Sequence, residues 1–186
     1  MYTAKSIRKY VQDLGAKKAV PGGGSAAALA GAVGAALLCM VIEFTRGKPQ
    51  YLRHEKRLGQ LAGSLGKARL RLLDYSDEDC EAFARGDRRR ALAIPRAAAR
   101  LGLKVMQACP ELAVIGNKNL ISDVAVAAVL LEASCSAACY NVGINLASVK
   151  SRARRAALSS EIRRIRLSAQ KIRRETEVRV GRIIAR

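Results

Sequence analysis

The run PGGGSAAALAGAVGAALLCMVI, residues 21–42, decides how the rest of the chain is read. From Ala26 to Ile42 it carries no charge, and at 17 residues that segment sits at the lower limit for crossing a bilayer core of about 30 Å. Its small residues fall in rows, Ala27–Gly31–Ala35 and Ala30–Gly34, which let a second helix backbone approach closely in water as well as in lipid. No aromatic belt flanks the run and no second stretch of that quality is expected. It therefore reads as a wholly buried core helix, and a membrane partner is disfavoured.

Around this helix the apolar spacing predicts others. Ile7, Tyr10, Val11 and Leu14, between Ser6 and Gly15, mark a short amphipathic helix over 3–15. Leu58, Leu61, Leu65, Leu72 and Phe83 mark a long one from Tyr51 to Phe83, broken by GDRRR at 86–90. Pro95 fits the first turn of the next, which carries Ala98, Leu101, Val105 and Ala108 before Pro110. After the polar loop IGNKN a second apolar helix spans Leu120–Leu146. Leu158, Ile162, Ile165, Ala169, Ile172, Thr176, Val180 and Ile183 then draw a coiled-coil-like seam along the last. Strict alternation is missing, so the expected fold is an all-α antiparallel helical bundle, one domain over residues 1–186.

Composition narrows the function. The chain has 186 residues, 50% of them hydrophobic, with only 7 aromatics and a formal charge of +19, which excludes a disordered acidic tail or a collagen-like repeat. A single histidine, His54, and no Cys-x-x-Cys pair argue against zinc sites of the two-histidine or ribbon type, and no metal is expected. The odd set Cys39, Cys80, Cys109, Cys135 and Cys139 sits mostly in apolar stretches, as small buried hydrophobes do in a reduced compartment. With no export signal in MYTAKSIRKY, a cytoplasmic location is expected.

Three features could carry chemistry. Gly22, Gly23, Gly24 and Ser25 precede a helix, where free amide N–H groups and the helix dipole favour an anion or polarised oxygen; an ordinary turn capped by Ser25 explains them equally. Asp123 stands between Ile121 and VAVAAVLL, where a carboxylate must be paired, solvated by a cleft or shifted in pKa; Ser122 or Asp123 also reads as a simple helix cap. Asn117, Lys118 and Asn119 put two amides and an ammonium in one loop, and Asn141 and Asn145 lie one turn apart, lining a cleft or satisfying buried backbone.

The blocks PGGGSAAALAGAVGAALLCMV, FTRGKPQY, SDEDCEAF, GNKNLISDVAVAAVLLEA and YNVGINL, in this order, resemble the cyclodeaminase/cyclohydrolase family of folate enzymes. The resemblance implies an all-helical, dimeric protein acting on a one-carbon bridge between N5 and N10 of tetrahydrofolate. It implies a substrate site drawn from Gly22, Gly23, Gly24, Ser25, Lys48, Asp79, Asn117, Asn119, Ser122, Asn141 and Asn145. Asp123 would offset the charge of a methenyl cation or orient water, and Lys118 would supply a proton or bind a substrate oxygen. These clusters are expected to meet in one pocket. One departure is visible: between SDEDCEAF and ALAIP the family's longer segment with a Tyr-x-Leu-Pro-type motif is replaced by ARGDRRR.

Residues 152–186 hold 12 Lys+Arg against Glu161, Glu175 and Glu177. They read as a solvated face around a docked seam, or as a surface attracting polyglutamylated folates. A different class of function also fits, a basic helical module binding nucleic-acid phosphates.

Overall fold

The computed structural model describes residues 1–185, so Arg186, counted in the basic C-terminal segment, lies outside the described residues. Those residues are helical without a strand: α1 Ile7–Leu14, α2 Gly23–Glu43, α3 Glu55–Ala84, α4 Arg88–Met106, α5 Cys109–Ile115, α6 Ile121–Asn145 and α7 Arg152–Ile184. The all-α reading holds. Short 3-10 turns at Pro49–His54, Lys118–Leu120 and Leu146–Ser148 complete the connections.

α2 packs between α3 and α6, and its glycines set the spacing. A methyl group at Gly34 would lie 2.8 Å from Leu131 Cγ and 3.2 Å from the Ala127 carbonyl oxygen; at Gly31 it would lie 2.6 Å from Ser134 Oγ. That hydroxyl donates to the Ala27 carbonyl at 2.7 Å. Early residues of α2 thus meet late residues of α6, so the two helices run antiparallel. α7 lays the expected seam on the bundle: Leu158, Ile165, Ala169, Thr176 and Val180 are buried, and Ile162, Ile172 and Ile183 pack at its edges. By length and composition alone α2 is long and apolar enough to cross a membrane, and so is the 118–148 stretch built on α6, which corrects the expectation of a single such run.

Two local expectations change. The first helix covers 7–14 rather than 3–15, and its apolar stripe faces outward, with Ile7 83% and Val11 59% exposed. Polar contacts set this orientation. Asp77 accepts from the backbone N–H groups of Tyr2 and Thr3, holding them in a non-helical path. Tyr10 reaches Ser25 Oγ at 3.1 Å, and Asp13 pairs with Lys9 at 3.0 Å and with Lys18.

The second change is in α4, which starts at Arg88, capped by Asp87 accepting from Arg90 N–H at 2.9 Å. It ends at Met106, with Ala108 the N-cap of α5 and Pro110 in the first turn of α5 rather than the stop of α4. Pro95 is the eighth residue of α4 and lies buried inside it, not in its first turn. A proline there leaves the carbonyl four residues back without its helical donor. Asn145 supplies the replacement, its Nδ2 donating to Ala91 O at 3.0 Å.

All five cysteines are free thiols. Burial pushes Cys109 up to about 12 and Cys139 to about 11, and raises Cys135 and the half-buried Cys39 as well.

Candidate functional site

The residues singled out in the sequence fall into two groups, one at each end of the α2–α6 pair. At the first end, Gly22 is the N-cap of α2 without a side-chain cap of its own, and a carboxyl group from α3 takes that place. A methyl group at Gly24 would lie 2.2 Å from Asp79 Oδ1, so only glycine lets the carboxyl group sit against the helix N-terminus. Asp79, half-buried on α3, has its pKa raised by burial, a shift opposed by a hydrogen bond from the Ser25 backbone N–H. Asn141 arrives from the end of α6, its amide atoms 3.7 Å from where a Gly23 methyl would stand. Its Nδ2 donates to Ala137 O at 3.0 Å.

Ser25 and Asn145 are drawn into structural work. Ser25 is fully buried and bonds Ser76 Oγ at 2.8 Å and the Tyr10 hydroxyl, so its side chain is closed to a ligand in this arrangement. Asn145 spends its amide protons on Ala91 O and Asn141 O.

At the other end, Asn117 is buried and locks the loop before α6. It donates from its backbone to Thr45 Oγ1 at 2.9 Å, from Nδ2 to Phe44 O at 3.1 Å, and accepts from Asn119 N–H. Lys118 and Asn119 are exposed, with the Lys118 backbone N–H held by the Tyr51 hydroxyl at 3.2 Å. Lys48 precedes the Pro49–His54 turn, in a loop fixed by Glu55, which accepts from Gly47 N–H and Arg46. Ser122 is exposed, and the cap of α6 is Leu120 without a side-chain bond. Neither Ser122 nor Asp123 is therefore the cap. Asp123 stands in the first turn, where the helix dipole favours an acid, with no ion pair among the described residues.

The clusters are expected to meet in one pocket, within the chain or across a subunit contact, and the antiparallel packing keeps them apart within one chain. Asp123 and Asn141 are separated by 18 residues of one helix, roughly 27 Å at 1.5 Å per residue. Thr45, Tyr51 and Ser76 were missed. Thr45 and Tyr51 lie within the FTRGKPQY segment, and nothing in their local spacing marks them as partners of the loop before α6.

Between the two ends, α2 and α6 present a face without charge from Ala26 to Met40 on α2, with Val33 46% exposed, and beside it Val126 49% exposed on α6. Among the described residues no three His, Cys, Asp or Glu side chains converge closely enough to hold a metal.

Fold and site define an all-helical protein whose polar groups gather at the two ends of an antiparallel core pair. The chain belongs to the Formiminotransferase-cyclodeaminase family, whose model matches residues 6–86 and 87–164, on either side of the short α3–α4 turn. It is 35% identical over 164 residues to the formimidoyltransferase-cyclodeaminase of Rattus norvegicus, covering 76% of this chain but only 30% of that protein. It is 31% identical over 172 residues to the methenyltetrahydrofolate cyclohydrolase of Methylorubrum extorquens, covering 80% of this chain and 83% of the other. A crystal structure of formiminotetrahydrofolate cyclodeaminase from Thermotoga maritima superposes with a TM-score of 0.92 at 26% identity, covering 99% of this chain and 100% of that one.

Proposed function

We propose that the protein catalyses one-carbon chemistry on tetrahydrofolate, as a cytoplasmic homodimer whose site is shared between subunits. In the hydrolytic direction water adds to the carbon bridging N5 and N10, the bond from that carbon to N5 breaks, and a proton is released. In the cyclising direction N10 attacks the formimidoyl carbon and gives up its proton, the bond from that carbon to the imino nitrogen breaks, and that nitrogen leaves as ammonia after taking up the N10 proton and one more from an acid. The hydrolytic reaction starts from a delocalised cation and the cyclising one ends at it, and a carboxylate stabilises that cation. Asp123 is assigned that role, and Lys118 the substrate oxygens or a proton. Asp79, held against the amides of α2, keeps its proton to higher pH than an ordinary aspartate and suits proton transfer.

The observation that carries this reading is the placement of two polar clusters at opposite ends of an uncharged face. A two-fold axis through the middle of that face would bring each Asp123 to the partner's triglycine turn, because a self-complementary interface pairs a patch with its own copy. The apolar face would then meet a second copy rather than a lipid.

The test follows the decay of the methenyl chromophore and the release of ammonia from the formimidoyl substrate. Asp123→Asn is expected to slow the active reaction by at least tenfold. An unchanged rate removes Asp123 from the mechanism, and inactivity with both substrates removes the folate reading.

A further inference from the structure

Cations collect along α4 and α7 on residues that the folate reading does not assign. α4 carries Arg88, Arg89, Arg90, Arg96, Arg100 and Lys104, and beyond its cap Asp87 no acid. α7 packs beside it and adds Arg154 and Arg164. Where the two helices meet, Glu161 is held by Arg96 at 2.7 Å and by Arg100, so this acid is already neutralised within the fold. Arg88, Arg89, Lys104, Lys150, Arg154 and Arg164 are exposed and form no ion pair among the described residues.

At one end of this strip the first turn of α4 and the α6–α7 connection enclose a cleft of about 670 Å³. Arg88, Arg89, Lys150 and Arg154 line it over a floor that includes Leu92 and Leu158. Arg88 and Arg89 come from the short ARGDRRR stretch, where the chain departs from the family pattern.

Packing does not require this concentration of like charge. The apolar edges of α4 and α7 dock through Leu92, Ile165 and Ala169, and holding unpaired guanidinium groups within a Debye length of about 8–10 Å is unfavourable without a counter-charge. The row from Arg89 to Arg100 extends roughly 16 Å along α4, longer than any single small anion. Neither α4 nor α7 contains an aromatic residue, so the strip has no platform for stacking bases and no large aromatic anchor for a peptide. Phosphates spaced along a backbone match what remains.

We propose that the α4–α7 strip, centred on the cleft between Arg88, Arg89, Lys150 and Arg154, binds the phosphodiester backbone of a nucleic acid without sequence preference. The proposal is independent of the folate reading and uses none of its residues.

The experiment titrates the full chain into fluorescent duplex DNA and into single-stranded RNA of the same length, over a series of salt concentrations. Six phosphate contacts predict, for the duplex, a slope of log affinity on log salt near −5, or about a thousandfold loss between roughly 50 and 200 mM salt. The strip variant carrying Arg88→Gln, Arg89→Gln, Lys150→Gln and Arg154→Gln is expected to make that slope shallower by roughly 3.6. A control carrying Arg8→Gln, Lys17→Gln, Lys56→Gln and Arg69→Gln removes the same charge from other surfaces and is expected to keep the slope. The tighter of the two probes identifies the nucleic acid. The proposal is overturned by absence of binding to both probes at low salt, by equal loss in the two variants, or by poly-L-glutamate competing as well as duplex at equal charge.

Discussion

Asn145 and Pro95 explain each other. Proline removes the donor for the Ala91 carbonyl, and the Asn145 amide, arriving from the end of α6, replaces it at 3.0 Å. Asn145→Ala is expected to cost about 1–3 kcal/mol, because a carbonyl loses its partner, and at this chain length each kcal/mol lowers Tm by about 2–4 °C. With Pro95→Ala in the background the restored N–H pairs with Ala91, so thermal unfolding of the four-member cycle should show a smaller cost for Asn145→Ala. Asp79 carries a second prediction at this scale. Burial raises its pKa above the ordinary 3.8, so with Asp79 acting as the base that takes a proton from water in the hydrolytic direction, the rate should rise with pH on a limb lying above that value. Asp79→Asn should abolish this limb, leaving a low rate without it.

α1 and the residues before it illustrate how an element is oriented by its polar partners. Its apolar stripe points to solvent while Tyr10 and Asp13 are buried, because Ser25, Lys9, Lys18 and the Tyr2 hydroxyl await them. Hydrogen bonds from Lys18 and then Lys9 lower the Asp13 carboxyl to about 2 from a reference of 3.8. A depressed folded-state pKa means that the unfolded chain binds the proton first, so the stabilisation is present above about pH 4 and is lost as pH falls towards 2. Hydrogen exchange of the α1 amides should accelerate in that window while the α2 amides remain protected, and Asp13→Asn should show fast α1 exchange already at neutral pH.

For the whole molecule, the decisive quantity is the separation of the two polar ends, roughly 27 Å along α6. Val33→Arg together with Val126→Arg places charge on the uncharged face and should yield a monomer by sedimentation equilibrium, with turnover lost. Complementation tests the shared site more directly. Asp79→Asn and Asp123→Asn chains are each expected to retain only a low rate alone. After joint refolding, half the dimers should be mixed and each should hold one intact site, restoring about a quarter of wild-type turnover. Sites formed within single chains would restore none.

Residues 21–42 determined the helical class, because an uncharged run rich in alanine and glycine packs closely against other helices, but the expected full burial does not hold: one side of α2 is buried and Val33 stands on an open face. The 3.6-residue spacing of the α7 seam located its buried edge. The family blocks were equally local and legible. Which of their polar residues face a ligand was not. Ser25, Asn117 and Asn145 have the same chemistry as their neighbours, and only neighbours distant in the chain, Ser76, Thr45 and Ala91, claim their hydrogen bonds. The direction in which α6 returns along α2 likewise lies outside any local pattern. Tertiary packing decided it, through the close approach at Gly31 and Gly34, and so divided one expected pocket into two ends.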